Sequence, residues 1–318
     1  MPEVVAIGET MVLFTPLGEG PLRYIHHFEK RIGGAESNVC IGLSRLGHRA
    51  GWISRLGNDE FGRYVLGAVR SEGVDVSTVT WDDEAPTAVY FKERRPLGGG
   101  QVYYYRRGSA ASRLGPEHLD PEYVKSAKVL VGSGITPALS HSCREALRRA
   151  VDIAREANVT FVFDPNLRLK LWPEEEARRV LLEFAAKADI VLPGQEEAAF
   201  LTGETDPIRA GNALLELGPR AVVVKVGEEG SVIVTREGYE RVPGFPVARV
   251  VDPVGAGDAF AAGIVAGMLE GMSLAQAARL GNACGAFAVT VPGDIEGLPE
   301  RAEIDQFINR TAPLDVVR

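Results

Sequence analysis

The chain reads as an α/β protein: a mostly parallel central sheet covered on both faces by helices, with a small β-sheet projecting from it. Three observations predict this. Short β-branched runs alternate with helical patterns along most of the sequence, which is the rhythm of strand–helix–strand crossovers. Two stretches, at about 11–32 and 85–110, break that rhythm with strand-like alternation, turn glycines and aromatics, and no helix between. And 318 residues, 45% of them hydrophobic, suffice for one large core.

Strands are expected at 4–8, 51–54, 129–132, 160–163, 190–192, 221–226 and 231–234. Helices are expected at 36–46, 61–71, 140–157, 173–186, 210–217, 257–269 and 274–289. Gly47 and Gly73 fall just beyond two of these helices, where a left-handed cap ends a helix. Within the second interruption, Val89-Tyr90-Phe91-Lys92 and residues 102–107 read as a hairpin joined by 96–100, with 97–100 as its loop tip. Parallel sheets bind ligands beyond the carboxyl ends of their strands. A projecting sheet beside that edge is expected to serve as a lid. The reading is a single domain over 1–318, with a lid formed from about 11–32 and 85–110.

Composition excludes several classes. A net charge of -8 argues against general nucleic-acid binding. No apolar run is long enough to cross a membrane. The chain opens on the strand-like Val4-Val5-Ala6-Ile7-Gly8, not on a basic region with an apolar signal core. Cys40, Cys143 and Cys284 are far apart and form no Cys-x-x-Cys pair, and the five histidines show no ligand spacing. Reduced, cytoplasmic and free of zinc is the expectation.

One segment concentrates chemistry: Asp252-Pro253-Val254-Gly255-Ala256-Gly257-Asp258-Ala259-Phe260, followed by a small and apolar helical run. It reads as a helix N-terminus stripped of side chains, whose free N–H groups and dipole favour an anion. Asp258 in that first turn has two readings. It is either a dipole partner worth about 0.3–1 kcal/mol, or a base that accepts a proton from an attacking hydroxyl. Phe260 excludes the dinucleotide fingerprint, and no Gly-Lys-Ser/Thr follows for a Walker A loop.

A second motif, Gly33-Gly34-Ala35-Glu36-Ser37-Asn38-Val39-Cys40-Ile41-Gly42-Leu43-Ser44-Arg45-Leu46-Gly47, opens a helix on two glycines and carries Asn38 in its first turns. Together the two motifs closely resemble the two signatures of the ribokinase-like (PfkB-type) carbohydrate kinases. The resemblance covers essentially the whole chain and is greatest to the 2-keto-3-deoxygluconate kinases. It implies a ribokinase-like three-layer α/β/α fold. It also implies transfer of the γ-phosphoryl of ATP, with Mg2+, to the 6-hydroxyl of that sugar acid. By the same resemblance Asp258 is the catalytic base, and Gly255, Ala256 and Gly257 form the anion hole. Lys225, Gly227 and Gly230 match the ATP-side turn, and Asn282 the helix beside the adenine. Glu197 matches the acid of an Asn-x-x-Glu motif that organises magnesium and phosphate. The chain departs there, with Gly194 in the Asn position, and leaves Glu197 and Gln195.

For the substrate, Gly34 and Asn38 join residues of the lid and the sheet edge. Asp164-Pro165-Asn166-Leu167-Arg168 resembles a segment shared by fructokinases and 2-keto-3-deoxygluconate kinases, and puts Asn166 and Arg168 near phosphates and substrate. Tyr103-Tyr104-Tyr105-Arg106-Arg107 resembles the Tyr/Arg strand of the latter. On a strand Tyr104 and Arg106 share one face, which the resemblance turns toward substrate, with Tyr90 beside it. Asp294 resembles a late substrate contact; a plain turn aspartate is the other reading. A keto-deoxy sugar acid carries a carboxylate that Arg106 or Arg168 suits; alternatively, Arg106 solvates an exposed strand and Arg168 binds ATP.

The helix N-terminus is expected to lower the pKa of Asp258. The resemblance further implies a monovalent cation such as K+, held by Asp252 and the loop near Val291. Expected partners are a small sugar acid and ATP, with no nucleic acid and no membrane. Exposed edges of the lid sheet invite a homo-oligomer. The alternatives are a fructokinase or other PfkB-type sugar kinase, and a sugar-responsive binding protein on the same fold. The intact Asp258, glycines and Lys225 speak against the binder.

Overall fold

A computed structural model describes residues 1–95 and 101–309; the expected loop tip at 97–100 lies outside the described residues. The first half runs β1 (Val4–Ile7), β2 (Met11–Pro16), β3 (Phe28–Gly33), α1 (Ala35–Arg45), β4 (Ala50–Ile53), β5 (Arg55–Gly57), α2 (Glu60–Ser71), β6 (Thr80–Asp82), β7 (Val89–Lys92) and β8 (Val102–Tyr105). It continues through α3 (Pro121–Lys125), β9 (Val129–Ser133), α4 (Ile135–Leu139), α5 (His141–Glu156), β10 (Thr160–Asp164), α6 (Glu174–Lys187) and β11 (Ile190–Val191). The last part holds α7 (Gln195–Thr202), α8 (Pro207–Leu215), β12 (Ala221–Lys225), β13 (Gly230–Thr235), β14 (Gly238–Pro243), α9 (Ala256–Leu269), α10 (Leu274–Ala288) and α11 (Arg301–Ile308).

Eight strands form the main sheet in the order β14-β13-β12-β11-β10-β9-β1-β4. The pairs from β4 to β12 are parallel, and β13 and β14 add an antiparallel edge. The strands are apolar on both faces because both faces are covered. Val4, Ala6 and Val223 enter one core with α1, α9 and α10, while Val5, Ile7, Val222 and Val224 enter the other with α5, α6 and α8. Strand alternation alone sorts them. Full burial of side chains such as Ile7, Phe161 and Phe163 stabilises by about 1.5–3 kcal/mol each.

The two interruptions form a separate four-stranded sheet, β3-β2-β7-β8, in which only β2 and β7 run parallel. Helix α8 starts at Pro207, earlier than the expected 210, because Asp206 accepts from Arg209 N and proline suits the first helical position. The alternation also missed β5, β6, α3, α4, α7, α11 and β14. The strand β14 lies at the sheet edge with most side chains exposed, so it has no apolar face to read. Helices α9 and α10 pack very closely: a Cβ on Gly263 would come within 2.7 Å of Gly281 Cα. That contact fixes the helix whose N-terminus carries Asp258.

Candidate active site

A cleft of about 740 Å³ opens between the carboxyl edge of the main sheet and the small sheet. It is lined by Gly34 and Asn38 from the start of α1, Tyr90 and Lys92 from β7, Tyr104 and Arg106 at β8, and Asp258 from α9. Asn166, Arg168, Gln195, Glu197, Lys225, Gly227, Gly255, Gly257 and Asp294 complete much of the wall. A second hollow of about 670 Å³ shares Lys225, Gly227, Pro253 and Gly257 with the first, and extends to Gly230, Ala256 and Asn282. Each is of a size that holds a small molecule. Every residue that the sequence assigned to catalysis, sugar or nucleotide lines one of the two.

The anion loop depends on its first glycine. Gly255 has φ of 83°, and a Cβ there would lie 2.6 Å from the Asp294 carbonyl oxygen. This left-handed, close-packed position turns the chain so that α9 begins at Ala256 with its free N–H groups toward the cleft. Asp258 Oδ2 accepts from Asn38 Nδ2 at 2.7 Å, joining the two sequence motifs across 220 positions. Among the described residues no donor bonds the other carboxylate oxygen, which leaves it for a ligand. The expected lowering of the Asp258 pKa is overturned. Burial raises it from the ordinary 3.8 to about 7, and Asp164 and Asp294 add to the rise against the Asn38 hydrogen bond. Desolvation outweighs the helix dipole here. A carboxylate poised near neutrality is a competent base.

On the nucleotide side, Lys225 at the end of β12 holds Asp164, at the end of β10, at 2.6 Å. Burial opposes the ammonium charge, but Asp164, Glu197 and Asp258 outweigh it and keep Lys225 charged. For Asp164, burial pushes the carboxyl up while Lys225 pulls it down; the ion pair satisfies both groups. A Cβ on Gly257 would sit 3.5 Å from Lys225 Nζ, so the absent side chain leaves the ammonium facing the loop amides. Asn282 Nδ2 donates to the Val242 and Pro243 carbonyls at 3.0 and 3.2 Å, which fixes the wall of the second hollow. Phosphates suit the first group and a planar base the second, so the residues present fit a nucleotide.

Glu197 does not offer a free carboxylate. Its Oε1 accepts from Leu167 N at 2.8 Å and its Oε2 from Gly194 N at 2.7 Å. It clamps the loop after β10 to the start of α7, so any service to a metal is indirect. Among the described residues no cluster of three His, Cys, Asp or Glu is arranged to hold a metal ion. Gln195 donates to the Thr205 carbonyl at 3.3 Å. Asn166 has φ of 37° and is braced by Asp164 Oδ1 accepting from its N–H.

On the other side, Tyr90 and Tyr104 stack at 5.5 Å, and the Arg106 guanidinium lies 5.5 Å over the Tyr104 ring. Tyr103 and Tyr105 are on the opposite face, where Tyr105 meets Phe91. Neither reading of Arg106 anticipated its partner. Arg106 is buried, and Nε and Nη2 contact Glu9 Oε2 at 2.7 and 2.6 Å. Glu9 is fully buried and also accepts from Ser109 Oγ at 2.7 Å. Arg168 is freer: among the described residues it donates to the Leu167 carbonyl. Asp294 is no plain turn residue, because it accepts from Tyr90 Oη at 2.8 Å and pairs with Lys92 at 2.7 Å. Sequence reasoning missed Glu9 and Lys92 as site residues. Signals existed for both: Glu9 follows the carboxyl end of β1, and Lys92 shares a strand face with Tyr90.

These features define a small-molecule kinase. Residues 1–301 match the pfkB family of carbohydrate kinases, and the chain belongs to that family. The 2-dehydro-3-deoxygluconokinase of Bacillus subtilis is 40% identical over 309 residues, 96% of this chain and 95% of that protein. The enzyme of the same name from Thermoproteus tenax is 38% identical over 97% of this chain and 94% of its own. Fructokinase-1 of Zea mays is 36% identical over 96% and 98%. Among solved structures, a putative ribokinase II from E. coli in complex with ATP and Mg2+ superposes with a TM-score of 0.90, at 29% identity over 97% of this chain and 99% of that one. A 2-dehydro-3-deoxygluconokinase from Thermotoga maritima gives 0.87 at 26% identity, over 98% and 100%.

Proposed function

We propose that this chain phosphorylates 2-dehydro-3-deoxygluconate (2-keto-3-deoxygluconate) on its 6-hydroxyl, with ATP and Mg2+ as the phosphoryl source. One observation carries the choice of substrate. Tyr104, Arg106 and Arg168 line one hollow beside the main cleft, and a guanidinium there, Arg168 above all since Arg106 is paired with Glu9, would suit a sugar carboxylate. Fructose has no such group. Likeness to relatives named for this substrate supports the same choice; the fructokinase relatives make fructose the second reading.

The residues divide the work. Asp258 accepts the proton of the attacking hydroxyl. The amides at Gly255, Ala256 and Gly257, with Lys225, stabilise charge on the transferred group. Magnesium, bound with the nucleotide, supplies further charge neutralisation. The base has little bond-making to assist in a loose phosphoryl-transfer transition state, so positioning by Asn38 matters as much as basicity. We read residues 1–318 as one kinase unit whose small sheet, about 11–32 and 85–110, excludes water as a lid. The face of that sheet away from the cleft carries Phe14, Phe28, Phe91 and Tyr105 in one aromatic cluster, which Phe61 of α2 meets at Phe14 and which leaves Tyr105 exposed. A second copy of the chain is the proposed cover, and the three free, buried cysteines suit a reducing cytoplasm. The chain has no helix, among the described residues, long and apolar enough to cross a membrane.

The test is ATP-dependent phosphorylation of 2-keto-3-deoxygluconate and of fructose at matched concentrations with magnesium. Higher kcat/KM for the keto acid is expected. Preference for fructose refutes the carboxylate argument while keeping the kinase.

A further inference from the structure

The cleft contains a cation of its own at the place where a monovalent metal was expected. Lys92 Nζ lies 3.1 Å from Asp252 Oδ2 and 2.7 Å from Asp294 Oδ1. Asp252 opens the anion loop: its Oδ1 accepts from Val254 N at 3.1 Å and its Oδ2 from Gly293 N at 3.3 Å. A metal at this spot would need Asp252 and the carbonyls of the loop that follows Val291. Three of those carbonyls are already engaged. Arg31 Nη1 donates to the Pro292 oxygen at 2.5 Å, and Arg45 Nη1 donates to the Ile295 and Leu298 oxygens at 2.9 and 2.8 Å. Carboxylate and carbonyl oxygens attract K+ because they are bare acceptors. Here Lys92 occupies Asp252 while Arg31 and Arg45 occupy three of the loop carbonyls, so the acceptors left do not fit the expected metal.

We infer that the Lys92 ammonium is the resident cation of this site, taking the place of a monovalent metal in neutralising Asp252 and Asp294 behind the anion loop. The charge is thereby covalently part of the small sheet, since Lys92 ends β7 and Arg31 lies on β3. Asp294 also braces the loop from behind, because its carbonyl oxygen is the atom that a Cβ on Gly255 would approach. The anion loop and the small sheet therefore hold their shape together, and turnover does not depend on K+.

The experiment compares wild type, Lys92→Met and Lys92→Arg in tetramethylammonium chloride and in KCl of equal ionic strength. The melting temperature of each protein without substrates is the first readout, and kcat is the second. Wild type and Lys92→Arg should each have the same melting temperature and the same kcat in the two salts. Lys92→Met should melt lower in tetramethylammonium and be raised by K+. Its kcat should fall at least about tenfold, as for loss of one preorganised electrostatic contact, and recover in part with K+. A wild type stabilised or activated by K+ overturns the inference. So does a Lys92→Met protein that K+ leaves unchanged, or one with wild-type turnover. If Lys92→Met does not fold, Lys92→Gln serves in its place. The inference rests on the kinase reading only for kcat: if the keto acid is not a substrate, the melting comparison still decides.

Discussion

Replacing Asp258 with Asn tests the chemistry and the electrostatics of the site together. Burial holds this carboxyl near 7 against an ordinary 3.8. A rise from 3.8 to about 7 is on the order of a few kcal/mol, less what solvent in the cleft screens, because Asp258 is only half-buried there. The sign follows from proton binding. Between about pH 4 and 7 the folded state holds a proton that the unfolded state has lost, so rising pH destabilises the wild type. Stability attributable to this group is fully present below the ordinary 3.8 and lost by about 7. Asn carries no charge and escapes that loss, but its new amide donor costs about 1–3 kcal/mol if unpaired. The Asn38 hydrogen bond survives, because the carbonyl oxygen of the substituted amide can still accept it. Asp258→Asn should therefore be the less stable protein near pH 4 and the more stable one near pH 8. The assay is urea unfolding of both proteins at a series of pH values, read as the difference in unfolding free energy. A difference that does not change with pH refutes the argument, as does one that grows in favour of the wild type. Turnover of the variant should drop by about 10²–10⁴-fold, the usual worth of a general base. The wild-type kcat/KM should fall as pH drops below about 7, where the base becomes protonated.

Arg106→Ala leaves Glu9 buried without its partner, so it should cost about 3–5 kcal/mol in stability and raise KM for the keto acid more than for fructose; equal changes in the two KM values would remove Arg106 from carboxylate recognition. Gly255→Ala forces a side chain into a left-handed position against the Asp294 carbonyl, at about 1–2 kcal/mol for the backbone alone, and should lower kcat with little change in sugar affinity, as measured by steady-state kinetics and calorimetry. Glu197→Ala frees the amides of Leu167 and Gly194 and should weaken MgATP binding by about tenfold, consistent with one lost charged hydrogen-bond set; unchanged nucleotide affinity would make the clamp irrelevant to the cleft.

The elements legible in the sequence are those whose period is set by burial. The parallel strands β1, β9, β10 and β12 lie between two helical layers, so their apolar runs announce them. Two glycine motifs marked the cleft because glycine is required where backbone meets an anion or another backbone. The rest was illegible for stated physical reasons. Edge strand β14 buries too little to leave a pattern. Helix α7 is short and begins where Glu197 Oε2 accepts from Gly194 N, so no run of apolar residues long enough to show a helical period marks it. The partners of Arg106 and Lys92 are distant in sequence. Glu9 is 97 positions from Arg106, and Asp252 is 160 from Lys92. No local spacing encodes such pairings. The pKa of Asp258 failed for the same reason: the helix dipole is visible in sequence, and burial beside Asp164 and Asp294 is not.

The pairings also explain how an acidic chain builds a site for anionic ligands. Four of the six acids that line the cleft, Glu9, Asp164, Asp258 and Asp294, would by themselves repel phosphate and carboxylate alike. Three of them are covered by fixed cations: Arg106 on Glu9, Lys225 on Asp164, and Lys92 on Asp294. Each cation is thereby oriented by a carboxylate behind it, in the way that a buried charge must be paired to be held. Asp258 alone among the four has an amide, not a cation, as its partner. That exception follows from its task. A cation at the 2.7 Å that separates Asp258 from Asn38 would hold its proton affinity down and weaken it as a base. The Asn38 amide orients the carboxylate and leaves its basicity to be set by burial.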